Sequence, residues 1–494
     1  MELNKTSNTL QAMWVGIGSL FSFGFSLVTA ALISRYLTKD DYGTYKQVMY
    51  VYNTLLVVFT LGLPRAYSYF LPRIPLREGL SIVNKLNGCF LFLGVIFAGI
   101  LYTGADTIAN VLNNPNLTTA IKIFSPTPIF LLPTMGLDGV LATYRLNKWN
   151  AVYSIITRFI SILLVALPVV FYKATTEVAV AGFTISSVFT CIIGIILMRL
   201  PFRGTQCQKT SVTLKEILTF SLPLMLAGFW GIAEKSADQF FISRWFGEAV
   251  FADFANGSLE LPFVGMVLSA GAVVLLPLFS QMNSEHRDKT EIIELWKRSA
   301  IKAAYILYPL VTFAWFFAYI IMTLLYGDKY IESGTYFRIM LTINFFTIAQ
   351  YYPILLALGK TRLYSNVLMF AAIAVWGLEY LSVTILANPY FVSVVAIIVR
   401  IGKIYIFLLV ISKILGCRIS QLFPIKELGK VFLSSVIAGG GAFLFISYLL
   451  PCYEKILNLI IGFIVFIGIL LVLSRLLRIP YFDIIKPLLV RFHK

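Results

Sequence analysis

The chain has 494 residues, of which 59% are hydrophobic and 13% charged, with a mean hydropathy of +0.85 and a net charge of +17. Soluble domains carry about 25% charged residues, so this composition excludes a water-soluble enzyme. Long apolar runs such as 458–473 are suited to crossing a hydrocarbon core as helices. The short alternating segments of a transmembrane β-barrel do not occur in the sequence.

Taken in chain order, hydropathy sets out about fourteen spans. The first six are 12–34, 44–66, 86–104, 121–143, 150–172 and 178–199. The next six are 217–240, 252–281, 299–325, 335–358, 364–386 and 389–412, and two more follow at 430–450 and 456–474. The first apolar stretch is a full span with no small-residue cleavage site after it, so it reads as a membrane helix and not as a removed signal. Residues 200–216 are polar, with Gly and Thr, and read as a cytoplasmic linker. The expected organisation is an N-terminal six-helix bundle over 1–199, that linker, and a C-terminal six-helix bundle over 217–412. A cytoplasmic loop, two extra helices and a basic tail then fill 413–494.

The loops orient the chain. With the N-terminus inside, the inner segments hold about 26 basic and about 9 acidic residues, which places the whole basic excess on one face as the positive-inside rule requires. The excess is topological and attracts anionic lipid headgroups, so no nucleic-acid partner is expected. Both termini are then cytoplasmic. The five cysteines (Cys89, Cys191, Cys207, Cys417 and Cys452) show no CxxC or metal spacing, and only Cys452 lies near an outer loop. No GxxxxGK[ST] loop is present, so ATP is not the direct energy source. No cofactor and no metal are expected.

One phrase occurs twice. ISRYLTKDDYGTY (33–45) closes the first span, and ISRWFGEAVFADF (242–254) closes the seventh. Arginine and aromatics mark membrane interfaces generally, but the shared order Ile-Ser-Arg-aromatic at equivalent helix ends argues for duplication. Six spans separate the copies, so the two bundles are parallel repeats, for which a substrate path at the repeat interface is the usual consequence. Within the first copy, Asp40 and Asp41 read as an acid-rich turn closed by Gly43. Arg35 and Arg244 then stand at outer helix ends, as an outer gate or as interface anchors.

Spans arranged as six, six and two, with ISRYLTKDDYGTY after the first, resemble the polysaccharide-export flippases of the multidrug/oligosaccharidyl-lipid/polysaccharide superfamily. FSLPLMLAGFWGIAEKSADQFFISRWFG (220–247) is similar to that family's seventh helix. The resemblance implies a transporter of the bacterial inner membrane that translocates an undecaprenyl-pyrophosphate-linked glycan, with polysaccharide assembly proteins as further partners. It also implies that acidic residues in some of these helices couple transport to sodium or protons.

A charge at the centre of a membrane helix costs roughly 2.5–3.5 kcal/mol on insertion scales, so in-span charges are the candidate site. Arg65 ends the second span after Pro64 and either lines the path or snorkels to lipid phosphate. Arg158 lies about 12 Å into the fifth span. Arg400 and Lys403 are three apart on one face of the twelfth. Together with Lys235 these cations suit a pyrophosphate, and structural pairing with carboxylates is the competing reading. Glu234 and Asp238 share one face of the seventh span, with Asp238 the foremost coupling candidate and Lys235 a partner for it. Glu379, midway along the eleventh span, is the other coupling candidate. Asp138 and Glu260 complete the in-span acids.

Two rival functions lead to different expectations. A membrane glycan polymerase or transferase needs a long outer loop, and none is present; its two histidines, His286 and His493, fall in inner segments. A multidrug/cation antiporter of the same superfamily calls for a carboxylate-rich lumen with few cations, whereas five basic residues lie in the spans here. The reading is therefore an all-α transporter and not an enzyme.

Overall fold

The computed structural model describes residues 8–285, 287–348, 351–449 and 454–481. Cys452, His286 and His493 lie outside them. The described residues form helices without a strand, and thirteen of the helices are long and apolar enough to cross a membrane. We label these α1 (Asn8–Tyr36), α2 (Lys39–Thr60), α3 (Leu76–Val111), α4 (Leu117–Thr143), α5 (Asn147–Phe171), α6 (Thr176–Arg199), α7 (Leu214–Gly257) and α8 (Pro262–Ser284). There follow α9 (Lys289–Phe316), α10 (Thr361–Ile385), α11 (Pro389–Leu415), α12 (Ile425–Leu449) and α13 (Lys455–Leu476). Large apolar side chains such as Phe92, Val273, Ile385 and Leu476 remain exposed along them, as expected where the solvent is lipid. The predicted tenth span, 335–358, has no counterpart among the thirteen. It is built from short pieces, Ser333–Leu341, a 3₁₀ turn over Thr342–Phe345, and Tyr352–Ala357. Thr342, Asn344 and Thr347 weaken its helix, and Pro353 begins a new one.

Contacts divide the chain into two compact units, Met1–Ala252 and Asp253–Lys494. In the first unit, α1 and α5 run side by side in the same direction. Gln11 bonds the Arg145 carbonyl and the Asn147 amide near their starts, and Phe25 packs edge-on against Phe159 further along. Pro126 and Pro133 break α4 into short segments. Helix α7 lies antiparallel to α2: Gln47 meets Ser243, Tyr50 meets the Ser236 carbonyl, and Phe220 stacks on Tyr69 beyond the end of α2.

The segment around Asp40 and Asp41 is not a turn. Thr38 caps α2 by accepting from the Asp41 amide at 3.1 Å, and the two acids form its first turn, where the helix dipole favours negative charge. Thr176 fastens this end by donating to the Asp41 carbonyl at 2.9 Å. Gly43 sits inside the helix for a different reason from turn closure. A Cβ there would lie 1.9 Å from the Glu248 carbonyl oxygen, so only glycine lets α2 come this close to α7.

The linker is tied down as well. The Gln208 amide donates to the Arg77 carbonyl at 2.8 Å, and Lys85 donates to the Val212 carbonyl at 2.6 Å, which straps 208–212 along the start of α3. The contact boundary between the two units falls later in the chain, within α7.

In the second unit, α10 packs on α11 and α12 on α13. The last two helices are joined to the end of α9 by a buried apolar cluster of Phe317, Ala438, Ala442, Ile446, Phe466 and Leu470. Arg338 braces the same end of α9. Its Nε donates to the Trp315 carbonyl at 3.0 Å and its Nη2 to the Phe316 carbonyl at 3.1 Å, with the guanidinium over the Trp315 and Tyr319 rings. These carbonyls lie in the last turn of α9, where no further intrahelical donor follows.

Candidate functional site

The two copies of the repeated phrase have matching environments. Ile33 and Ser34 are fully buried, as are Ile242 and Ser243, while Tyr36 and Trp245, the aromatics after each arginine, are exposed. Three residues after each arginine the helix breaks with extended ψ, at Thr38 (ψ 165°) and at Gly247 (φ 81°, ψ 175°). Only glycine adopts that second conformation without strain. The next polar positions again correspond: Asn114 donates to Thr44 and Gln47 in the first unit, and Ser333 donates to Asp253 in the second. In each case a residue following the third helix of its set bonds the same position of the phrase, Thr44 or Asp253. Arg35 is exposed, and Arg244 is half-buried and donates to the Val111 carbonyl at the end of α3.

The in-span charges separate into three groups. The first surrounds Arg158, near the middle of α5 and about 16 Å from its start at 1.5 Å per residue. Its Nε donates to Ser22 Oγ of α1 at 3.1 Å, and its side chain is exposed. A guanidinium at this depth is costly in hydrocarbon, which makes Arg158 a candidate for a polar path. One turn on, Ile162–Ala166 forms a π-turn ahead of Pro168. Pro168 has no N–H to offer the Leu164 carbonyl, and that carbonyl lies against Gly182 of α6 instead.

The second group is on α7. Glu234 and Asp238 are buried, at 2% and 1% exposure, and share one face as expected, while Lys235 is exposed on another. Asp238 accepts from the Gln239 amide at 2.9 Å. The third group is on the packed pair α10 and α11. Glu379 is fully buried in the stripe Val375, Glu379, Ser382, and Arg400 and Lys403 are half-buried between Ala396 and Phe407. Arg65 stands apart from all three, exposed in the short helix Pro64–Phe70. Among the described residues no group of three His, Cys, Asp or Glu side chains could hold a metal ion.

Ser22 and Arg338 were not singled out by sequence. Ser22 had a readable signal, since Ser22, Ser26 and Thr29 recur at helical spacing on α1. Tyr45 is the last residue of the first repeated phrase, where Phe254 stands in the second.

This architecture is that of a multi-pass helical transporter fold. It matches the solved lipid II flippase MurJ in an inward closed conformation over 94% of this chain and 99% of that one, with a TM-score of 0.68 at 14% identity. It matches an inward-facing multidrug resistance MATE family transporter over 79% of this chain and 94% of that one, with a TM-score of 0.63 at 14% identity. The chain belongs to the polysaccharide biosynthesis protein family, whose model matches residues 32–335. It is 23% identical over 341 residues to the succinoglycan biosynthesis transport protein ExoT of Rhizobium meliloti, covering 66% of this chain. The match spans 64% of the length of that relative.

Proposed function

We propose that this protein carries a polyprenyl-pyrophosphate-linked glycan across the bacterial inner membrane by alternating access of two parallel bundles, serving surface polysaccharide biosynthesis. Family membership and the likeness to a succinoglycan transport protein support the substrate class, and the likeness to flippase and multidrug transporters supports the carrier fold. The observation that carries the reading is Arg158, accessible at half the depth of α5 and held by Ser22.

In this reading Arg65, Arg158, Lys235, Arg400 and Lys403 line the path of the pyrophosphate and sugars while the prenyl tail stays in lipid. Arginine suits the role because its fork pairs with two phosphate oxygens at once. Asp238, Glu379 and Glu234 couple the cycle to a cation or to protons. Arg35 and Arg244 close or anchor the outer end. Both termini are cytoplasmic, and polysaccharide assembly proteins are the expected neighbours.

The test is surface glycan in cells lacking the gene and complemented with variants. Arg158→Ala, and Arg400→Ala combined with Lys403→Ala, are expected to abolish export at normal protein levels and to trap the lipid-linked glycan inside. Normal export from both variants would defeat the anion path. Loss of drug resistance without any glycan defect would favour the multidrug antiporter.

A further inference from the structure

A cavity of about 730 Å³ lies in the second unit between α9, the broken tenth span and α12. Ile425, Gly429, Phe432 and Val436 line it from α12, a spacing that keeps all four on one helix face. Tyr308 of α9, Phe345 of the 3₁₀ turn and Phe432 pack edge-on around it, with ring centroids 5.1 to 6.0 Å apart. Ile425 and Phe432 are exposed, so the cavity is open to lipid from the side. Its wall offers little to water. Tyr308 donates to the Phe345 carbonyl at 2.7 Å and Thr342 to the Arg338 carbonyl at 3.0 Å. Among the buried side-chain atoms described for this wall, only Thr312 Oγ1 lacks a partner. An ordered water needs several polar partners, so the space suits an apolar chain.

Length and charge say which chain. From Ile425 to Val436 the lined face of α12 runs about 16 Å at 1.5 Å per residue, half of a hydrocarbon core roughly 30 Å thick. The cavity is thus one leaflet deep, and it starts at the end of α12 that the loop charges place in the cytoplasm. Lys426 and Lys430 are exposed at that end, one turn apart, each next in sequence to a cavity residue. No ion pair engages either of them among the described residues. Two lysines in the first two turns oppose the positive end of the helix dipole, and an anion beside them removes that conflict.

We propose that this cavity holds an acyl chain of an anionic glycerophospholipid of the cytoplasmic leaflet, its phosphate beside Lys426 and Lys430. The resident lipid supports the break in the tenth span, since non-helical backbone at membrane depth is tolerated only where it is covered.

The experiment strips detergent from the full-length protein and identifies the last lipid retained by native mass spectrometry. Phosphatidylglycerol and phosphatidylcholine with identical chains are offered together. Each basic residue near a membrane surface favours anionic lipid about fivefold, so phosphatidylglycerol should be retained at least about tenfold over phosphatidylcholine. Lys426→Gln combined with Lys430→Gln should remove that preference. A Cβ at Gly429 meets nothing within 4 Å, so Gly429→Trp can fill the cavity and should abolish retention without lowering Tm.

Equal retention of the two lipids by the wild type overturns the proposal, as does wild-type retention by Gly429→Trp. An unchanged preference in the lysine variant overturns the headgroup contact. That variant alters only exposed side chains, so it remains decisive if Gly429→Trp does not fold. Displacement of phosphatidylglycerol by an equimolar polyprenyl phosphate also overturns the proposal, because the groove would then belong to the carried lipid.

Discussion

Gln47 donates through Nε2 to Ser243 Oγ at 2.8 Å, and both side chains are fully buried. Ser243 is the serine of the second repeated phrase, and Gln47 lies just after the first. The glutamine oxygen is engaged too, accepting from Asn114 Nδ2 at 2.6 Å, and Asn114 also donates to Thr44. Three hydrogen bonds thus link the four side chains, and buried polar groups are tolerated when they are paired in this way. The duplicated phrase thus supplies one side of a polar tie between α2 and α7.

Gln47→Ala leaves Asn114 and Ser243 each short of a partner, and an orphaned buried group costs about 1–3 kcal/mol. The expected outcome is a lower Tm in detergent together with faster labelling, from outside, of a cysteine placed at Tyr50. Replacement of Gln47 by Glu at high pH should do more damage than Ala, because it buries a charge. Unchanged Tm and labelling in both variants would show that the tie is incidental.

Gly43 is the steric counterpart of that tie. Since its Cβ would meet the Glu248 carbonyl at 1.9 Å, Gly43→Ala must push α2 and α7 apart, and Gly43→Val must push further. Overpacking costs typically about 1–3 kcal/mol. Expression and Tm should fall in the order Gly, Ala, Val, a ranking that size-exclusion thermostability measurements can read. Equal stability of all three would mean that the helices are not in contact here.

Arg338 holds the Trp315 and Phe316 carbonyls and stacks between two aromatic rings. Arg338→Met keeps the aliphatic bulk and removes the donors. We expect a loss of stability of about 2–3 kcal/mol, seen as a lower Tm with glycan export reduced only in proportion to protein level. Arg338→Lys should recover little, because a single ammonium cannot reproduce the planar contacts. A transport defect at wild-type stability would instead place Arg338 in the substrate path.

Asp40 and Asp41 separate a transporter from a metal-dependent transferase. Asp41 is part of the α2 cap with Thr38 and its carbonyl receives Thr176, whereas Asp40 is exposed in the first turn. Asp41→Ala should cost about 1 kcal/mol of stability, and Asp40→Ala should be close to neutral. Surface-glycan assays should show export retained in both. Complete loss in either, at normal abundance, would support catalysis at this loop.

Much of the fold was readable because apolar spans are long and the lipid leaves the backbone few options. Average hydropathy over 335–358 hides the polar residues and the proline that divide the predicted tenth span into short helices. The acid pair was misread because Thr38, the true cap, resembles any other loop threonine until Asp41 is seen bonded to it. At the candidate site, charge marked Arg158, but what orients it is a serine. Hydroxyls at helical spacing are common in apolar helices, where they usually bond their own backbone, as Ser26 does with the Ser22 carbonyl.

The central claim is that a lipid-linked pyrophosphate passes Arg158, and the direct measurement is transbilayer movement in proteoliposomes. A fluorescent polyprenyl-pyrophosphate oligosaccharide would be followed by its accessibility to an external quencher. Wild-type protein is expected to move it at least tenfold faster than protein-free vesicles. Arg158→Ala, matched for Tm and amount, should lose most of that gain, as removal of a charged hydrogen-bonding group of about 1.5–3 kcal/mol requires. Movement by Arg158→Ala at the wild-type rate, or no movement by the wild type while a cationic dye is transported, would contradict it.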